Sequence, residues 1–221
     1  MEAQKDDPMR SLSQWFQTKQ VERTRKALER NGFESLFVPD GKSAVKAILD
    51  MIPDGATVGI GGSVTLTQIG FFKAVKGRGV DLINPFAKDI SLEERGELTR
   101  RIFSCDYFLC STNAITEEGQ LYNVDASGNR VAAMFFGPKK SIVVCGINKI
   151  VKDMEEARKR VWNFAAPTNA NRLGRKTPCT KTGVCADCNS PERICNISVE
   201  LLKKPTRSDI LILIIGEPLG L

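Results

Sequence analysis

The chain has 221 residues, 42% of them hydrophobic and 26% charged, with a formal net charge of +6. That size fits one large domain with a real core, and the excess of 32 Lys and Arg over 26 Asp and Glu reads first as a solvated surface and second as a preference for anionic small molecules. Nucleic acid is a poor fit, because no arginine-rich tract is interleaved with aromatics, and the absence of histidine excludes Ser-His and Cys-His nucleophile pairs.

The first ten residues are polar and of mixed charge, so no signal peptide is expected. The longest apolar run, Ile210 to Gly216, is far too short to cross a membrane. A cytoplasmic protein with no membrane partner is expected. Nothing decides the oligomeric state, and a homo-oligomer stays open. In a cytoplasmic chain, seven cysteines point to metal or redox chemistry before disulfides.

In chain order, residues 1–8 read as frayed, and Met9 to Asn31 has helical spacing, with Asn31-Gly32 as its stop. A short strand over Ser35 to Val38 turns at Pro39-Asp40-Gly41 into a helix over Lys42 to Ile52. Ala56 to Ile60 is apolar and β-branched, hence a buried strand. Gly61-Gly62 breaks it, and Ser63 caps a helix predicted over Val64 to Lys76. Strand, glycine turn and helix start form an arrangement that offers backbone N–H groups to an anion, with Ser63 and Thr65 adding hydroxyls. Neither a P-loop nor a Gly-x-Gly-x-x-Gly spacing is present.

Further on, Gly79 to Ile83 reads as a strand, Leu92 to Phe103 as a charged helix, and Tyr107 to Cys110 as a strand. Asn113 to Gly119 reads as a polar turn. Leu121 to Val124 and Arg130 to Phe135 read as strands around the turn Asp125 to Asn129. Ser141 to Cys145 is a fully apolar strand, and Asp153 to Phe164 a helix. The chain closes with a helical turn over Ile197 to Lys204 and a strand over Asp209 to Ile215 that returns to the sheet. Alternating strands and helices predict an α/β domain with a mostly parallel sheet, spanning 9–221.

Residues 167–196 interrupt this pattern with little apolar material and four cysteines. Cys185 and Cys188 form a Cys-x-x-Cys pair, and Cys179 and Cys195 flank it within folding-back distance. Four thiolates at these spacings suit a structural zinc or the corners of an iron–sulfur cluster, and the spacing alone does not choose. Cys105, Cys110 and Cys145 lie in or beside apolar strands and read as core.

Five motifs occurring in order resemble the lactate-utilisation (LUD) domain family: Gly59 to Thr65, Thr112 to Gly119, Asn123 to Arg130, Gly137 to Lys139, and Gly146 to Lys149. The cysteine segment resembles the tail of short, single-domain members. The resemblance implies kinship with ribose-5-phosphate isomerases, glucosamine-6-phosphate deaminases and coenzyme A transferases. It therefore implies a three-layer α/β/α domain that binds phosphates or acyl groups near the glycine loop. It also implies a role in oxidising lactate or a related acid, with a [4Fe–4S] centre and electron-transfer partner proteins.

A parallel sheet places ligands beyond the carboxyl ends of its strands. That edge is expected to gather Gly61, Gly62, Ser63, Thr65, Asn113, Asn148 and Lys149, with Asp125, Asn129 and Arg130 reaching in from the hairpin. Glu117, Glu118 and Lys149 are the candidate proton-transfer groups, and Gly119 is expected to give Glu118 the freedom to face inward.

Overall fold

The computed structural model describes residues 8–221, so most of the stretch read as frayed lies outside the described residues. The elements run α1 (Pro8–Arg30), β1 (Glu34–Val38), α2 (Gly41–Met51), β2 (Thr57–Ile60), α3 (Val64–Gln68), α4 (Phe71–Ala74), β3 (Asp81–Ile83), α5 (Leu92–Arg101), β4 (Tyr107–Cys110), β5 (Ala114–Thr116) and β6 (Leu121–Asp125). They continue with α6 (Asn129–Phe135), β7 (Lys140–Gly146), β8 (Ile150–Val151), α7 (Met154–Arg160), α8 (Ala166–Arg172), α9 (Pro178–Thr182), β9 (Ile197–Leu201) and β10 (Ile210–Ile215). No helix among the described residues is long and apolar enough to cross a membrane.

Six strands form one sheet in the order β1-β10-β7-β4-β2-β3, and every neighbouring pair is parallel. Alternate residues of its central strands enter two separate cores. Ile210, Ile212, Ile214, Val143 and Cys145 face one; Leu211, Leu213, Ile215, Ile142 and Val144 face the other. Both faces are therefore covered, which is why β10 reads as an unbroken apolar run. Residues of α2, α3 and α4 cover the second face, through Ala44, Ile48, Leu66 and Phe71. The first is covered by α1 and α6, through Leu28, Ala133 and Met134.

A second, four-stranded sheet, β8-β5-β6-β9, packs against that first core through Ile115, Leu121, Ile150 and Leu201. Its strand β5 lies within the stretch expected to be a polar turn, and it is wholly buried. Strand β9 replaces the expected helical turn, because Ile197 to Leu201 pairs antiparallel with β6 and supplies its edge partner.

Two further expectations are corrected. The segment Arg130 to Phe135 is helix α6, not a strand. Gly128 takes a left-handed conformation (φ 83°) at its start, Asp125 accepts from the Val131 N–H at 3.1 Å, and Val131, Ala133 and Met134 bury one helical face. The helix expected over Val64 to Lys76 breaks into α3 and α4 at Gly70, whose φ of 78° no helix interior allows. Conversely, the helix after Asp153 runs further than expected. A π-turn over Val161–Ala165 joins α7 to α8 across Pro167, which has no N–H to give.

Candidate functional site

The ends of β2, β4, β6 and β7 meet at a cleft of about 1300 Å³. At the first of them the chain leaves the sheet through Gly61-Gly62. The Gly61 N–H is still committed to the sheet, donating to Leu109 O at 2.9 Å. A Cβ at Gly61 would strike the Phe108 ring and come within 3.0 Å of Cys110 Cβ, so this glycine makes room for the core, not for a ligand. Gly62 takes φ 38° and turns the chain into α3, where Ser63 Oγ accepts from Leu66 N at 3.2 Å. The first-turn N–H groups of Val64 and Thr65 have no intrahelical acceptor.

Lys149 is the most deeply buried of the charged residues that line the cleft. It ends the turn that follows β7 and lines the cleft while only 3% exposed. Its Nζ donates to Ser111 Oγ at 2.8 Å, to Thr112 O at 3.1 Å and to Thr65 Oγ1 at 3.4 Å. No carboxylate pairs with it among the described residues. Burial pushes the ammonium down to about 7, and the guanidinium charges of Arg160 and Arg130 act in the same direction. Gly220 (φ 73°) packs over it so closely that a Cβ there would sit 2.8 Å from Nζ.

Arg130 plays a different part. Nη1 donates to Ser111 O (2.8 Å) and Asn123 Oδ1 (2.6 Å), Nη2 to Asn113 Oδ1 (3.0 Å) and Val124 O (2.9 Å), and Nε to Asp125 Oδ1 (3.3 Å). All five donors are thus engaged, so Arg130 holds the loops after β4 and β6 together and offers the cleft charge alone. Asp125 is spent on Arg130 and the Val131 N–H.

Gly61, Gly62, Ser63, Asn113, Asp125, Asn129, Arg130 and Lys149 all line the cleft, as expected for one sheet edge. Thr65 stands behind Lys149 as its acceptor. Asn148 holds the end of the chain instead, accepting from Leu219 N at 2.9 Å. Glu117 and Glu118 are not brought to the cleft. Buried strand β5 carries them toward α1, where Glu117 accepts from Gln20 Nε2 and Arg23 Nε, both at 2.9 Å, and Glu118 is exposed. Gly119 serves that contact: a Cβ there would meet the α1 backbone at Leu28 N within 2.5 Å.

Sequence reasoning missed most of the charge. Lys76, Arg78, Lys88 and Arg95 line the cleft from the turn after α4, the loop after β3 and helix α5. Arg172 and Arg175 join them from the end of α8. With Arg130 and Lys149, eight cationic residues line the cleft against one acidic side chain, Asp125. These residues come from segments without motifs, and only the tertiary fold brings them together.

Cys179, Cys185, Cys188 and Cys195 surround a second, small space of about 20 Å³, backed by Ala166, Pro167 and Ala170 of α8. Arg193 braces it, donating to Cys188 O at 2.7 Å and Cys195 O at 3.2 Å. Burial raises the Cys195 thiol above its usual value. All seven cysteines are free thiols. Among the described residues no group of three or more His, Cys, Asp or Glu is arranged to hold a metal ion. The cysteines converge without closing to coordination geometry. Burial pushes Cys110 and Cys145 up to about 12 and Cys105 up to about 11, in keeping with core residues.

No curated protein matches the chain. Among solved structures it is similar to a DUF162-family protein from Deinococcus radiodurans, at 12% identity and a TM-score of 0.53 over 90% of this chain and 98% of that one. At that identity the likeness speaks for the fold alone. The family model described as the LUD domain matches residues 21–215, and the chain therefore belongs to the LUD domain family, which is associated with lactate utilisation.

Proposed function

We propose that the cleft binds an anionic organic acid or phosphorylated ligand and that Lys149 is its proton-transferring group. The observation that carries this reading is a buried lysine without a carboxylate partner, in a cleft lined by eight cationic residues and one acidic side chain. An unpaired buried ammonium is costly, and an anion entering the cleft offsets that cost. An amine titrating near 7 is populated in both forms at neutral pH, as a general acid or base requires. Ser111 and Thr65 accept hydrogen bonds from Nζ and so fix its position. Together with the family's association with lactate utilisation, this supports a role in organic-acid oxidation.

The cysteine pocket fits a thiophilic centre by its donor set: four thiols around one space with an apolar backing. Cys179, Cys185, Cys188 and Cys195 would hold it. An iron–sulfur cluster held there would supply one-electron transfer, and zinc would supply structure alone. Electron-transfer proteins are the partners the first reading calls for. A visible absorption band after anaerobic purification separates the two, because zinc is colourless.

The test of the cleft is a thermal-shift screen of lactate, phosphorylated sugars and acyl-coenzyme A esters on the wild-type chain and Lys149→Met. At least one anion is expected to raise the wild-type melting temperature, and that shift should shrink or vanish in the variant. If no anion shifts the wild type, or the variant keeps the full shift, the reading fails.

A further inference from the structure

We infer that the outer part of the cleft is a nucleotide subsite, with Phe86 as the platform for a planar base and Lys76, Lys88 and Arg95 as the phosphate-binding cations. The inference rests on the anion-binding reading and deepens it by naming the ligand class. Phe86 sits on the loop after β3, where its N–H donates to Asn84 Oδ1 at 3.1 Å. Its ring rests against Gly62, where a Cβ would come within 2.9–3.3 Å of the ring carbons Cζ, Cε1 and Cε2. A ring seated on a glycine turn is fixed in place, yet Phe86 stays 49% exposed and lines the cleft. Phe86 lies at the opening of the cleft, where a base can stack on its exposed face.

Charge and size agree with that class. Among the described residues Lys76, Lys88 and Arg95 form no ion pair with a carboxylate. Exposed cations left unpaired around one opening raise the local concentration of a polyanion. The cleft, at about 1300 Å³, exceeds the range of roughly 300–1,000 Å³ usual for drug-sized ligands. A three-carbon hydroxy acid with one negative charge leaves most of that space and charge unused. A nucleotide, or a substrate carrying a nucleotide handle, uses the ring, the cations and the length, and its far end reaches toward Lys149.

Isothermal titration of the full chain with ADP, pyrophosphate and adenosine tests this, repeated on Phe86→Ala and on the double variant Lys88→Ala/Arg95→Ala. ADP should bind at least about tenfold more tightly than pyrophosphate, the order expected of one base stacked on an aromatic ring. Phe86→Ala should bring ADP down to the pyrophosphate level and leave pyrophosphate unchanged, while the double variant weakens both. The Phe86→Ala melting temperature should stay at the wild-type value, since the ring is half exposed. Pyrophosphate binding without any ADP advantage, or an ADP affinity indifferent to Phe86, overturns the subsite and leaves the anion reading standing. Failure of both ligands to bind also overturns the subsite, and the anion reading is then decided separately by the thermal-shift screen with lactate and the other anions.

Discussion

Lys149 should leave a signature in the stability of the protein, independent of any assay of function. Its ammonium ordinarily titrates near 10.5 and is pushed down to about 7 by burial. The folded state therefore disfavours the charged form by about 5 kcal/mol, at 1.36 kcal/mol for each tenfold change in proton affinity. A lowered lysine value means that the unfolded chain holds a proton that the folded chain releases between about pH 7 and 10.5. Stability from this group accordingly rises with pH across that window and is flat below it. Between pH 6.5 and 8.5 the gain amounts to about 2 kcal/mol.

The buried thiols work in the opposite sense. Cys105, Cys110 and Cys145 stay protonated in the fold and ionise once unfolded, so they lower stability as pH passes their ordinary value of 9.0. Comparison with Lys149→Met cancels them. Urea denaturation at pH 6.5, 7.5 and 8.5 should give a wild-type stability that climbs by about 2 kcal/mol relative to the variant. Parallel curves would refute the reasoning, because a lysine with an ordinary proton affinity is fully charged in both states throughout that range.

Other expectations follow from single contacts. Arg130→Lys keeps the charge but cannot reach five acceptors, and with Asn123 fully buried the loss should be about 3 kcal/mol in urea. Gly61→Ala should cost about 1–3 kcal/mol by driving a methyl into Phe108, so weakened ligand binding in that variant is to be read against its melting temperature. Glu117→Gln breaks an ion pair to a half-exposed Arg23 and should cost under about 1 kcal/mol while leaving ligand binding unchanged. Cys185→Ser and Cys188→Ser should each abolish bound iron or zinc in anaerobically purified protein; wild-type protein with neither metal would remove the thiolate centre.

The parallel sheet was legible in the sequence because β2, β4, β7 and β10 are buried on both faces, and only continuous apolar runs satisfy that. The edge and second-layer elements were not. Arg130 to Phe135 carries apolar residues that serve a strand or a helix equally well. The choice is made by Asp125 and Gly128 outside the segment. Ile197 to Leu201 becomes a strand only because β6 offers it an edge. Lys149 was legible from its place after an apolar strand. Glu117 and Glu118 misled, since their direction depends on β5, three residues hidden in a polar stretch.

The cysteine segment and the cleft are neighbours in space, which changes what the segment is for. Ile194 lines both the cleft and the cysteine pocket. Helix α8 gives Ala166, Pro167 and Ala170 to the pocket and Asn169 and Arg172 to the cleft. At its far end the segment is stitched to the cleft loop itself, Asn196 N donating to Asp125 O at 3.0 Å and Asn196 Nδ2 to Ala126 O at 3.2 Å. The cysteine-bearing part of the segment, with too little apolar material for a core of its own, thus packs on the α8 that begins the segment and closes a side of the cleft. The cleft and the cysteine pocket thus share one wall, Ile194 and helix α8, so a substitution made in one is to be checked for its effect on the other.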